Sequence, residues 1–169
     1  AEFRNNLLVE PRVACTGSPT FSTAVKRSGS ASLVLDQASE GIALDQLVVN
    51  ARTFLTAWVR WSGTATGDSR FLFLYGPDGN FELSLTSAGN LRCRSTSGGS
   101  TVDGSAAIAA GTWHKVEVDF DATTTNHAVT CRLNGPTVAS GNAPPGQIGP
   151  PGYYFKTAAT WGGITIYAS

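Results

Sequence analysis

The sequence predicts an all-β fold, a two-sheet antiparallel β-sandwich. Three observations carry that expectation. Apolar and polar residues alternate over short runs, the period of a strand with one dry and one wet face. Roughly a dozen such runs are separated by turn signals rich in Gly, Ser, Asn and Pro. No stretch sustains a 3.6-residue period between helix caps, so almost no helix is expected.

The elements follow in order. Asn5 to Val13 reads as an opening strand, and Thr16 to Thr20 as a turn. Ala24 to Asp36 reads as a hairpin, with Ser28-Gly29-Ser30 as its tight turn and Ser32 to Leu35 opening a strand. Ile42, Leu44, Leu47 and Val49 mark a further short strand or extended segment. Thr53 to Trp61 sorts Leu55, Ala57, Val59 and Trp61 onto one face and Phe54, Thr56, Trp58 and Arg60 onto the other. Ser62 to Ser69 is a loop. Arg70 to Tyr75 and Asn80 to Leu85 form a hairpin across Gly76-Pro77-Asp78-Gly79, where Pro presets φ and Gly accepts a positive one. A second hairpin turns at Ala88-Gly89-Asn90 into Leu91 to Ser95, with Leu91 and Cys93 inward and Arg92 and Arg94 outward. Ser97 to Gly104 is flexible and Gly/Ser-rich, and Thr101 to Ala109 holds one more short strand.

Gly111 to Gly135 is the clearest stretch. His114, Val116, Val118 and Phe120 share one face of its first strand, and Lys115, Glu117 and Asp119 the other. A polar hinge, Asp121 to Asn126, leads to a second strand with Val129, Cys131 and Leu133 inward and Thr130 and Arg132 outward. That strand closes on Asn134-Gly135, a strong hairpin dipeptide. Pro136 to Gly152 reads as a long extended surface loop. Its glycines at 146, 149 and 152 are too few for a collagen helix. Tyr153 to Lys156 and Gly163 to Ala168 are the last strands.

Composition narrows the function. A chain of 169 residues, 41% hydrophobic, suits one domain with a substantial core. Its formal net charge is zero and only 14% of residues are charged, so there is no basic footprint for nucleic acid or membrane lipid. No apolar run is long enough to span a bilayer. Three cysteines, Cys15, Cys93 and Cys131, suit one bridge plus a free thiol, or no bridge. Cys93 and Cys131 share parity with core positions and read as two small buried hydrophobes. The chain contains no Met. Ala1 to Phe3 is expected to be a cloning scar or processed end, leaving 4–169 as a single domain.

Several phrases carry a family resemblance. Trp113 opens a strand with a charged outer face, followed by a polar turn and a strand ending in Asn134-Gly135. Arg27 to Leu33 fits an R-x-G-x-x-S/A-L phrase, and Ala57-Trp58-Val59-Arg60 resembles a mid-sheet strand. Together they resemble laminin-G-like, concanavalin-type jelly rolls. The opening, Asn5 to Val13, is similar to that of jelly-roll carbohydrate-binding modules and phage structural proteins. The resemblance implies a domain that binds glycans or proteins, with polysaccharide-cleaving relatives. It also implies a last strand returning beside the first.

Catalytic signals are incomplete. His114 reads as a packed, hydrogen-bonded residue and His127 as a solvated turn residue. No Ser-His-Asp order or G-x-S-x-G elbow occurs. Glycosidases need two carboxylates facing one sugar. The strand candidates are Glu82, Glu117 and Asp119, of which the last two share a face about 7 Å apart by strand rise. Family-16 glucanases of this fold carry Glu-x-Asp-x-x-Glu, but Ala122 stands where the last Glu belongs, so a solvated outer face is the reading. Tyr154-Phe155-Lys156 and Gln147-Ile148-Gly149 resemble polysaccharide-lyase motifs, but Thr160 and Gly149 replace the catalytic Tyr and His. Calcium needs six or more oxygens. Glu10 matches a jelly-roll calcium ligand, but the final strand lacks the partner Asp.

The candidate carbohydrate-binding residues are Trp58 and Arg60, Arg92 and Arg94, and Tyr153 and Tyr154. Aromatic rings stack on sugar faces and polar groups read hydroxyls, while arginines pair bidentately with acidic sugars. The expected function is a non-catalytic carbohydrate-binding or adhesion module of a larger extracellular or phage-tail protein. Its partner would be a glycan or cell-surface polysaccharide. The alternative is a virion structural or capsid-decoration protein binding other subunits; a polysaccharide lyase ranks third. No catalytic residue, metal site or cofactor is assigned, with calcium left open, and the expected location is extracellular or the virion surface.

Overall fold

The computed structural model describes residues 13–36, 41–44, 52–63, 67–76, 79–95, 102–121, 123, 128–142, 153–156 and 166–168. Among these, every regular element is a strand. In chain order they are β1 (Val13–Thr16), β2 (Thr20–Ser22), β3 (Ser32–Leu35), β4 (Gly41–Leu44), β5 (Arg52–Trp61), β6 (Ser69–Gly76) and β7 (Gly79–Leu85). Then follow β8 (Asn90–Ser95), β9 (Asp103–Ala107), β10 (His114–Asp121), β11 (Ala128–Leu133), β12 (Thr137–Asn142), β13 (Tyr153–Lys156) and β14 (Ile166–Ala168). They form two seven-stranded sheets, β1-β4-β13-β6-β7-β8-β9 and β12-β11-β10-β5-β14-β3-β2. Every pairing is antiparallel. The fold is the expected sandwich.

The core lies between the sheets. Phe81, Leu83 and Leu85 of β7 and Leu91 and Cys93 of β8 face Val116, Val118 and Phe120 of β10 and Val129, Cys131 and Leu133 of β11. Each sits at the inward parity the alternation predicts. Phe81 and Phe120 are 1% exposed, and burying each contributes about 2–3 kcal/mol. Trp61, on the second sheet, packs its ring edge against Gly89 in the β7–β8 turn, where a Cβ would stand 2.8 Å from it.

The Asn134-Gly135 turn has positive φ at both residues, 53° and 104°, as a type I′ hairpin requires. The Leu133 N–H donates to the Pro136 carbonyl at 2.9 Å. This turn sends the chain straight back along β11, which corrects one expectation. Residues 137–142 are the edge strand β12, not loop. Ala139 is the single buried residue of that strand, so its alternation was too weak to read. β2, three residues long, was likewise not anticipated. The last strand does not lie beside β1: β14 pairs with β3 and β5, while β1 pairs with β4 in the other sheet. Of the expected opening strand only Val13 lies within the described residues, as do parts of the segments 41–49, 97–109, 121–126, 136–152 and 163–168.

All four residues of β3 are buried. Leu33 and Leu35 face the core, so Ser32 and Val34 are covered from outside. Val25 accounts for part of that cover: its N–H donates to Ser22 Oγ at 2.9 Å and its carbonyl accepts from Ser32 Oγ.

Candidate functional site

The register of the first sheet aligns one residue from each strand: Ala14, Ala43, Tyr154, Phe73, Glu82, Arg94 and Asp103. At about 4.8 Å per strand the row crosses the whole sheet. Inward-facing Phe81, Leu83, Leu91 and Cys93 force Glu82, Ser84, Arg92 and Arg94 onto the outer face. Yet Glu82 is 1% and Ser84 3% exposed. Arg94, directly opposite Glu82, lies across it and donates from Nε to the carboxylate. Such directly opposed charges are a favourable cross-strand pair. Beside them Arg92 donates from Nε and Nη2 to the two oxygens of Asp103, at 3.2 and 3.0 Å. The hydrogen bond from Arg92, with the positive charges of Arg92 and Arg94, holds the Asp103 carboxyl below its ordinary range.

Arg92 and Arg94 therefore share one outer face and Tyr154 lies in register with it. Tyr153 falls in the adjacent row with Leu74. Trp58 and Arg60 lie on β5, in the second sheet. They do not join the other candidates. The Arg27 guanidinium stacks 3.5 Å over the Trp58 ring, and Arg60 Nε donates to the Gly111 carbonyl at 2.8 Å.

The outer face of the second sheet also differs from the solvated surface expected of it. Asp119 is 8% exposed, because Arg52 spans its carboxylate with hydrogen bonds of 2.9 and 2.6 Å. The hydrogen bond from Arg52, then its charge, keeps the Asp119 carboxyl below its ordinary value. Glu117 accepts from Lys115 Nζ at 2.6 Å. Phe54, beneath the Arg52 guanidinium at 5.0 Å, remains 65% exposed. His114 is buried, as expected. Its Nε2 lies 3.2 Å from the Ala109 carbonyl and its Nδ1 3.1 Å from the Asn134 amide. Among the described residues no group of three or more His, Cys, Asp or Glu assembles to hold a metal ion. Among the described residues no helix is long and apolar enough to cross a membrane.

Sequence reasoning weighed Glu82 only as a catalytic carboxylate and passed over Ser84 and Asp103. The signal for Glu82 was present. It shares outward parity with Arg94 across a hairpin whose turn was recognised. Asp103 gave no such signal, since the turn between β8 and β9 falls in a uniform Gly/Ser stretch.

Residues 36–163 match the family model of the concanavalin A-like lectin/glucanases superfamily. No curated protein sequence matches significantly. Among solved structures, the chain is similar to the binding domain of botulinum neurotoxin DC in complex with SialylT. The identity is 10% and the TM-score 0.62, over 92% of this chain and 41% of that one. It is also similar to domain 4 of AbnA, an extracellular arabinanase from Geobacillus stearothermophilus, in complex with arabinotriose. Here the identity is 19% and the TM-score 0.57, over 92% and 81% of the two chains. A third is alginate lyase vAL-1 from Chlorella virus, at 10% identity and TM-score 0.63, over 93% and 89%. These likenesses are of fold. This chain spans less than half of the neurotoxin domain.

Proposed function

The chain belongs to the concanavalin A-like lectin/glucanases superfamily, and on that premise we propose that it is a non-catalytic glycan-binding module acting outside the cell. The observation that carries the reading is the ordered polar ladder on the outer face of the first sheet. Glu82 fixes Arg94, and Asp103 fixes Arg92. Each guanidinium keeps further N–H donors beyond those its carboxylate occupies. Donors and acceptors thus alternate in fixed positions, as a polyhydroxyl ligand requires. The ladder holds two positive and two negative groups, so neutral sugars suit it better than uronates. Similar folds bound to arabinotriose and SialylT support the reading.

No reaction is assigned. A glycosidase acid needs a raised pKa, whereas Asp103 and Asp119 are both held low by arginine. The test is a glycan array at low salt, with calcium and with chelator. Neutral oligosaccharides should bind, and Arg92→Ala, which removes described donors of the ladder, should weaken binding severalfold with little shift in the melting temperature. A blank array from folded protein would overturn the reading. It would favour the alternative, a virion or surface-assembly subunit, for which the exposed Phe54 is the supporting feature. A concentration-dependent oligomeric mass, lost in Phe54→Ser, would then identify that role.

A further inference from the structure

We propose that Cys93 and Cys131 are a redox modification site: two core thiols that close into a single covalent bond between the sheets when the chain folds with a disulfide-class oxidant. Cys93 lies on β8 in one sheet and Cys131 on β11 in the other, both 0% exposed. Their cross-strand neighbours show how near the sheets come. Cys93 pairs with Gly104 and Cys131 with Ala139. A Cβ on Gly104 would stand 2.9 Å from the Ala139 Cβ and run into the Val138 carbonyl oxygen. Face-to-face sheets ordinarily stand about 10 Å apart. Here they pinch to backbone contact one strand away from the cysteines, along a row built of Cys, Gly and Ala. A disulfide needs Cα atoms roughly 4.4–6.8 Å apart, a separation that only such a pinch allows across a sandwich.

Burial, then the contact with Cys131, pushes the Cys93 thiol far above its ordinary range. The thiolate is the nucleophile, so the closed core is inert and the bond forms before closure. In the open chain one cysteine thiolate attacks a low-molecular-weight disulfide, R–S–S–R, giving a mixed disulfide and one R–S⁻. The second thiolate attacks the protein-side sulfur and releases another R–S⁻. Two protein thiols are oxidised, one R–S–S–R is reduced, and the two protons end on the leaving thiols. Constraining a loop of roughly 40 residues raises the folded-to-unfolded ratio by several hundredfold in the chain-entropy model.

The experiment refolds the full chain from guanidinium in oxidised and reduced glutathione. Thiols are then counted in denaturant, and non-reduced peptides are mapped. We expect one remaining thiol, on Cys15, a Cys93–Cys131 linked peptide, and an unfolding midpoint raised over the reduced protein. Cys93→Ala/Cys131→Ala should fold but lose the oxidant-dependent shift. Three thiols in oxidatively refolded, native-like protein would overturn the proposal, as would a linkage through Cys15 or a shift that survives the double substitution. If refolding aggregates, native protein held with the same couple at sub-denaturing guanidinium gives the same readout.

Discussion

Gly104→Ala tests how closely the sheets approach. Gly104 has no positive φ, so its backbone accepts alanine without strain. On chain entropy alone the substitution would stabilise by about 0.4–1 kcal/mol. The structure predicts the opposite sign. The added methyl would stand 2.9 Å from the Ala139 Cβ and overlap the Val138 carbonyl, which is backbone and cannot swing aside. Forcing such a contact costs typically about 1–3 kcal/mol. At about 2–4 °C per kcal/mol for a chain of this size, the melting temperature should fall by roughly 2–12 °C. Gly104→Ala/Ala139→Gly should recover only part of the loss, because it removes the methyl–methyl contact and leaves the carbonyl. Urea unfolding measures both variants. A Gly104→Ala chain as stable as the parent would refute the pinch and, with it, the geometric basis for the inter-sheet bond.

Other outcomes follow from the ion pairs and turns. Arg94→Ala removes the ion-pair partner of the buried Glu82 carboxylate and should cost about 3 kcal/mol, whereas Arg92→Ala, releasing the exposed Asp103, should cost under about 1 kcal/mol; denaturation midpoints compare them. Asp119 titrates below its ordinary value of 3.8 when folded, so below that pH the unfolded chain takes up a proton the folded chain refuses. Its stabilising effect is therefore complete above about pH 4 and is lost as pH falls through the folded value, and Asp119→Asn should flatten the acid limb of a stability–pH curve. Trp58→Ala removes the platform under Arg27 and should cost about 1–3 kcal/mol while leaving glycan affinity unchanged; lost binding with unchanged melting would contradict that. Asn134→Ala loses the hydrogen bond from the Lys115 N–H at 2.8 Å and a residue tolerant of φ 53°, so thermal melts should show a loss of about 1–2 kcal/mol.

What could be read from the sequence was whatever a local rule dictates. Alternation sorted β5, β8, β10 and β11 onto their correct faces, because a strand's side-chain period is fixed by the backbone alone. Asn134-Gly135 named its own turn. Once a turn is centred, its hairpin register is determined, so the Glu82–Arg94 pair was in principle derivable from Ala88-Gly89. What escaped was set by closure of the sandwich. Arg52 and Asp119 meet 67 residues apart, and no local pattern encodes that. The loop that lays Arg27 on Trp58 is likewise set by closure and carries no local signal.

The same reasoning distinguishes the two outer faces as places for the proposed glycan binding. A binding surface must hold groups in place without using up all their hydrogen-bonding capacity. On the second sheet Trp58 is capped by Arg27, Arg60 holds the Gly111 carbonyl, and Arg52 is committed to Asp119. These contacts fasten loops and strands to one another. On the first sheet Arg92 is held by Asp103 through Nε and Nη2, and Arg94 by Glu82 through Nε, which leaves part of each guanidinium for a ligand. Arg94→Lys discriminates directly. An ammonium can keep the ion pair with Glu82 but cannot present a second, fixed edge of donors. Stability should therefore fall by less than about 1 kcal/mol while glycan affinity drops severalfold. Equal loss of both would mean that the ladder only seals Glu82.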